Sequence, residues 1–163
     1  MITLYRIVLA GLGSMPCMAA ATPDVLSPLG YGQIHFGMKL RAAELALKQG
    51  ATPKYDGSGC DYVQFKKYPR LRFMVEDGIL TRADAKKRTK NSANVLVGMS
   101  LDHVKSMHPE VKIQPHKYDD EGHYAILSTA DNRAAIVLEA SKGKVTAIRA
   151  GLEPSVEYVE GCQ

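Results

Sequence analysis

The sequence has no tryptophan, only three cysteines and three phenylalanines, and no long apolar run. No stretch approaches the roughly 18 consecutive apolar residues of a membrane-spanning helix, which excludes a protein that crosses the membrane by helices. No C-x-x-C pair occurs, which argues against a redox-active pair of thiols. Hydrophobic residues make up 45% and charged residues 23% of the chain, so we expect one globular domain or two small halves.

The sequence also lacks the local signatures of common catalytic sites. Outside the first 21 residues we find no H-E-x-x-H, no G-x-S-x-G and no phosphate-binding loop. The formal net charge of +4 is too mild to indicate a nucleic-acid partner. One dense basic run, "KKRTK" at 86–90, is interpreted as a solvated linker, with contact to an anionic partner as the alternative. We therefore predict neither a cofactor nor enzymatic activity.

The first 21 residues have the layout of a cleaved signal peptide. Arg6 precedes an apolar run at 7–12, and small residues follow at 19–21. This layout predicts export, and hence a periplasmic or secreted bacterial protein with no stable membrane insertion after cleavage. Cys17 leaves lipidation open as an alternative, although Pro16 immediately before it fits a lipidation signal badly.

Removal of the signal peptide, and of Cys17 with it, leaves Cys60 and Cys162. Two cysteines in an exported chain favour one disulfide, because such compartments are oxidising. Two buried free thiols are the alternative.

The segments "HFGMKLRAAELAL" and "LVGMSLDHV" open in the same way, with a short strand, Gly-Met and then a helical pattern. Helices are predicted at 39–49 and 101–108, each followed by strand candidates with glycine-containing turns. The sequence thus predicts a repeat at 32–85, a basic linker at 86–91, a second repeat at 92–151, and a C-terminal strand and disulfide tail at 152–163. The expected fold class is α+β, with two tandem repeats that each place a short helical segment before an antiparallel sheet. Coincidence is the alternative, because glycine-containing hairpins are common.

These two openings resemble the repeats of the beta-lactamase inhibitor protein family and of the related SmpA family of small outer-membrane lipoproteins. The likeness covers about 15 residues in each half. It implies the tandem-repeat fold, and the inhibitor implies binding to another exported protein. The chain departs from the inhibitor in having no Trp and one candidate disulfide where a cysteine pair in each repeat is expected. The stretches "PHKYDDEGHY" and "YVEGC" resemble small exported bacterial proteins, which implies the compartment alone.

The resemblance also suggests where a partner would bind. In the inhibitor, the loop between helix and strand helps to insert into the target enzyme, which here implies contact through Tyr55 and Asp56. A plain surface turn is the alternative for this loop.

The loop at 116–124 is the richest polar cluster of the sequence. As a partner-contact loop it would present Tyr118, Asp119, Asp120 and Tyr124, because interfaces favour tyrosine and charged loops steer encounter. Weak candidates for metal ligands in the same loop are His116, Asp119 and His123. A hydrogen-bonded hairpin loop without a ligand is the other interpretation.

The sequence as a whole predicts an exported, non-catalytic protein-binding module. An inhibitor or immunity-type neutraliser of another secreted or periplasmic enzyme is the sharpest form of this prediction. The alternatives are an envelope structural or assembly protein, and a metal-binding protein or enzyme that uses loop 116–124.

Overall fold

A seven-stranded antiparallel sheet forms the body of the protein in the computed structural model, which describes residues 23–162. The predicted signal peptide and Cys17 lie outside the described residues. The large sheet is built from β3 (Cys60–Val63), β4 (Leu71–Glu76), β5 (Ile79–Ala85), β6 (Lys112–Pro115), β7 (Gly122–Ser128), β8 (Ala134–Ser141) and β9 (Lys144–Leu152). The other elements are β1 (Gly30–Tyr31) and β2 (Ile34–His35), which form a two-stranded sheet, and the helices α1 (Leu40–Leu47) and α2 (Leu101–Met107).

The strand order β3-β4-β5-β9-β8-β7-β6 joins the two halves of the chain in one sheet. The junction is the antiparallel pairing of β5 with β9, from Arg82 opposite Gly151 to Ala85 opposite Ile148. This pairing gives both strands a hydrogen-bonded neighbour on each side and leaves β3 and β6 as the two edges.

The prediction of an α+β fold with two tandem repeats is wrong. The described chain is mostly β, with 40% strand and 13% helical residues, and it contains no clear repeated helix-and-sheet units. The physical reason is the β5–β9 ladder, because it merges the strands of both halves into one sheet instead of closing two separate ones. The two helices have 8 and 7 residues, about two turns each, and pack on that shared sheet.

The similarity of the two Gly-Met openings is a local similarity of backbone conformation. Gly37 has φ +91° and Gly98 has φ +95°, a region that side chains strongly disfavour. Each glycine donates its N–H to a strand of the sheet, Gly37 to the Leu80 oxygen and Gly98 to the Val145 oxygen, both at 2.7 Å. Positive φ and this hydrogen bond turn the chain into the helix that follows.

The predicted helices are confirmed, with shorter bounds than the pattern suggested. In α2 the side chain of Ser100 accepts from the His103 N–H, which caps the first turn. The apolar stripes Leu40, Ala43 and Leu47 of α1, and Leu101 and Val104 of α2, are buried in the main core. One face of the sheet therefore packs on the helices.

The C-terminal segment, residues 153–162, differs from its predicted form. The pattern at 156–160 predicts a strand, but the structure has a short 3₁₀ helix at Ser155–Glu157 and irregular backbone after it. The predicted disulfide is confirmed, since Cys60 and Cys162 are joined with their Cα atoms 5.2 Å apart. Within residues 23–162, none of the helices has the length and apolar character needed to cross a membrane.

Candidate functional site

The sheet face opposite the helices carries a row of charged side chains in its centre. Arg72 lies opposite Asp84, and Asp84 lies opposite Arg149, in adjacent strands. The Asp84 carboxylate accepts from Arg82 Nε at 2.6 Å and from Arg72 Nη2 at 3.2 Å. Arg149 pairs with Glu139, and both Arg82 and Arg149 are buried, with 5% and 4% of their surface exposed.

These two buried arginines hold the C-terminal segment on the sheet. Arg82 Nη1 donates to the backbone oxygens of Tyr158, at 2.6 Å, and Ser155, at 3.3 Å, and Arg149 Nε donates to that of Val156 at 2.6 Å. Val156 is buried in a small apolar cluster with the strand residues Tyr124, Ile126, Ala135 and Val137. The segment thus covers the second face of the sheet by apolar burial and by charge-assisted hydrogen bonds.

Farther along, the C-terminal segment meets the loop that follows β6. Glu160 accepts from Lys117 Nζ at 2.6 Å and also from the Tyr118 hydroxyl. The hydrogen bond from Lys117 lowers the pKa of the Glu160 carboxyl. Tyr118 remains 65% exposed although its hydroxyl is anchored, and Tyr158, in the same C-terminal segment, is 38% exposed.

The loop itself is fixed by hydrogen bonds among its own residues and by one bond from the end of β8. The Asp119 carboxylate accepts from Ser141 Oγ at 2.6 Å and from the Glu121 N–H at 3.0 Å. The bond from Ser141 is the main cause that lowers the pKa of Asp119. His116 Nδ1 accepts from the Tyr118 N–H at 3.1 Å. Asp120 is exposed, whereas Asp119 is half-buried and accepts a hydrogen bond from the loop backbone at Glu121.

Tyr124 is buried, although the sequence predicts it to be a partner-contact residue. Its side chain stacks on His116 with ring centres 4.5 Å apart, and lies 5.6 Å below the Arg149 guanidinium. A partner therefore does not reach it. The three weak metal candidates, His116, Asp119 and His123, do not form a metal-binding group, since residues 23–162 contain no group of three or more His, Cys, Asp or Glu positioned to hold an ion.

In the other predicted contact loop, Tyr55 is half-buried and works as a loop support. Its hydroxyl donates to the Gly59 oxygen at 2.7 Å and accepts from the Gly78 N–H at 3.2 Å. Asp56 is exposed and accepts from the Ser58 N–H at 3.0 Å, which forms a tight Asx turn. Asp56 is the more accessible of the two predicted contact residues.

The C-terminal segment is linked to the loop at 116–121 by Glu160 and, through Cys162 and Cys60, to the strand that follows the loop at 51–59. The loop at 51–59 runs into β3 at one edge of the sheet, and the loop at 116–121 follows β6 at the other. Glu160 holds Tyr118, and two residues later Cys162 is bonded to Cys60. An extended dipeptide spans at most about 7 Å, so both links lie on one short piece of chain.

Sequence reasoning missed three residues that build this site: Arg82, Arg149 and Glu160. A signal was present for the arginines, because each lies in a largely apolar strand, in "ILTRADA" and "KVTAIRAGL". A charge at such a position is seldom buried without a partner. The sequence did not indicate the backbone partners of Arg82, because these are the oxygens of Ser155 and Tyr158, more than 70 residues away.

The fold and the site define a small β-rich protein whose C-terminal segment is strapped across one sheet face. Comparisons with family models, curated proteins and solved structures find no match to the chain.

Proposed function

We propose that this protein is exported and binds another protein without catalysing a reaction, as an inhibitor or immunity-type neutraliser of a secreted or periplasmic enzyme. The observation that carries this proposal is Tyr118, a tyrosine exposed over 65% of its surface on a loop held by hydrogen bonds. Tyrosine anchors on rigid loops give large contact area at low cost in conformational entropy.

The charges around Tyr118 support the same proposal. Asp120 is exposed beside it, and Lys117 and Glu160 form an ion pair at its base. Fixed charges around an aromatic anchor steer encounter and set orientation in protein complexes. His116 Nδ1 and both carboxylate oxygens of Asp119 accept hydrogen bonds from the loop and from the end of β8, which favours a contact role for this loop.

Export is supported by the disulfide between Cys60 and Cys162, because such bonds persist in oxidising compartments. N-terminal sequencing of the protein from the culture supernatant and the periplasm tests this part. A chain that begins near residue 22 is expected, and an uncleaved or acylated chain in the membrane fraction would contradict it.

The binding proposal is tested by affinity capture on the immobilised mature chain. We expect the unmodified chain to retain an exported enzyme, and that enzyme to lose activity in the complex. Tyr118→Ala should retain it at least tenfold less well, as expected for loss of a central aromatic anchor. Leu45→Ala is the matched control, because Leu45 is equally exposed, at 65%, but lies on α1.

Two results would contradict the binding proposal. One is that Tyr118→Ala and Leu45→Ala retain the same proteins as the unmodified chain. The other is that the retained enzyme keeps its full activity in the complex.

A further inference from the structure

A second surface, formed by the β3–β4 turn and the segment after β5, is strongly basic. Lys66, Lys67 and Arg70 lie in the turn between β3 and β4, and four more cations follow β5: Lys86, Lys87, Arg88 and Lys90. The two segments touch, since the Lys86 N–H donates to the Arg70 oxygen at 2.8 Å and Arg70 Nη1 donates to the Lys87 oxygen at 3.2 Å. We call these seven exposed cations the basic surface.

The positive charge of the basic surface is not neutralised within the part of the chain that the structure describes. Neither 66–70 nor 86–90 contains a carboxylate, and no ion pair to residues 23–162 involves any of the seven cations. The nearest carboxylate along the chain, Asp84, is already paired with Arg72 and Arg82. Lys67 donates to an uncharged partner, Gln33.

The backbone beneath these cations is held in place. Thr89 is buried, and its hydroxyl donates to the Lys86 oxygen at 2.8 Å. The Leu26 N–H donates to the Lys90 oxygen at 2.9 Å, which ties the segment to the N-terminal part of the chain. The segment at 86–90 is therefore an ordered turn that projects cations into solvent.

The composition of the basic surface points to the kind of partner. Its large apolar neighbours Phe65, Tyr68 and Leu71 are buried, so the two segments offer no exposed aromatic anchor of the kind that dominates protein interfaces. Five of the seven cations are lysines, which are flexible point charges and not preorganised forks. Such a surface suits a broad, diffuse array of negative charge.

We propose that the basic surface attaches the protein peripherally to bilayers that contain anionic phospholipid. Each Lys or Arg near such a membrane strengthens adsorption several-fold. The attraction extends over about one Debye length, and it weakens as salt rises because salt shortens that length. This inference is independent of the binding proposed for Tyr118, since it rests on other residues.

The test is co-sedimentation of the mature chain with vesicles of phosphatidylcholine, with or without roughly one third phosphatidylglycerol, at low and high salt. We expect binding only to the anionic vesicles, and release by salt. The triple variant Lys86→Gln, Lys87→Gln, Arg88→Gln should bind at least tenfold more weakly, since three cations are lost.

The matched control is Lys112→Gln, Lys142→Gln, Lys144→Gln, which removes the same charge from exposed positions that form no ion pair to a described residue. We expect it to bind within about twofold of the unmodified chain, because its cations belong to β6, to the β8–β9 turn and to the start of β9, and not to the two segments of the basic surface. Circular dichroism melts establish that both variants are folded.

Three results would overturn the membrane proposal. One is equal binding to both kinds of vesicle. Another is an equal loss of binding in the two triple variants, which would assign the effect to net charge alone. The third is binding to poly-L-glutamate in preference to anionic vesicles, which would assign the basic surface to an acidic protein.

Discussion

Arg82 and Arg149 show how a single buried charge is tolerated at the residue scale. Arg82 meets a carboxylate and two backbone oxygens, and Arg149 meets a carboxylate and one backbone oxygen. Taking a guanidinium out of water costs several kcal/mol unless its donors are satisfied in this way. These arginines are therefore expected to be sensitive to substitution, in contrast to surface cations.

Arg149→Met should lower the free energy of unfolding by about 2 kcal/mol. The loss stays below that of a fully buried pair, because the Glu139 side chain is still 25% exposed to water. Urea unfolding followed by circular dichroism measures the change. Arg41→Met is the control, since Arg41 is 79% exposed and its pair with Glu44 should contribute less than about 1 kcal/mol. Equal losses in the two variants would contradict the inferred role of Arg149.

Gly98 is a second residue whose identity has a physical reason. Gly98→Ala should destabilise the protein by about 1–2 kcal/mol, because φ +95° is strained for any side chain, even though no described atom lies within 4 Å of the added Cβ. Gly50→Ala is the matched control: Gly50 does not have positive φ, and its added Cβ meets only the end of Glu44, at 3.8 Å. A thermal melt that shifts equally for both variants would show that backbone strain is not the cause.

At the element scale, the ion pair between Lys117 and Glu160 connects loop 116–121 to the C-terminal segment. Its hydrogen bond lowers the pKa of Glu160 in the folded protein, so the pair stabilises that contact above the ordinary carboxyl pKa. As the pH falls through the lowered pKa, Glu160 is protonated and the contact weakens.

An NMR titration of the Glu160 carboxyl carbon tests this coupling. In the unmodified chain we expect a pKa below 4.5, the ordinary value for glutamate, and a chemical-shift change in Tyr118 over the same pH range. In Lys117→Met the pKa of Glu160 should rise towards 4.5. Lys112→Met serves as the control, and a Glu160 pKa that is unchanged in Lys117→Met would contradict the assigned cause.

The disulfide joins the same C-terminal segment covalently to β3. It closes a loop with a sequence separation of 102, for which the chain-entropy model gives about 4.7 kcal/mol of stabilisation. Dithiothreitol should therefore lower the urea midpoint of the native protein. The double variant Cys60→Ser, Cys162→Ser should start at the lower midpoint and show no response to dithiothreitol, and equal midpoints for all samples would count against this role.

At the scale of the whole molecule, the β5–β9 ladder makes the two halves interdependent. We expect one cooperative urea transition, with tyrosine fluorescence and far-UV circular dichroism coincident. A fragment of residues 23–91 should be unfolded, because it would leave β5 with an open edge and without the C-terminal segment on its second face. Two separate transitions, or a folded fragment, would instead show that the halves fold on their own.

Much of the local structure was predictable from the sequence. The Asp77-Gly78 hairpin, the Ser100 cap and the apolar stripes of both helices depend on residues close together in the chain, and each is present. The disulfide was predictable by cysteine count once Cys17 was assigned to a predicted signal peptide. The roles of the tyrosines were not, because the packing of Tyr124 against Val156 and the bond of the Tyr118 hydroxyl to Glu160 depend on the C-terminal segment.

The sequence by itself determined both helices and most of the turns and strands, since these follow from local periodicity and from glycine, proline and capping residues. Only the tertiary structure decided that β5 pairs with β9, that residues 153–162 cover the sheet, and that the two basic segments meet. The physical reason is that long-range pairing is a competition between several apolar strands of similar pattern. The pairing that buries the most apolar surface in the whole fold is the one that forms, and a local sequence pattern does not indicate which pairing that is.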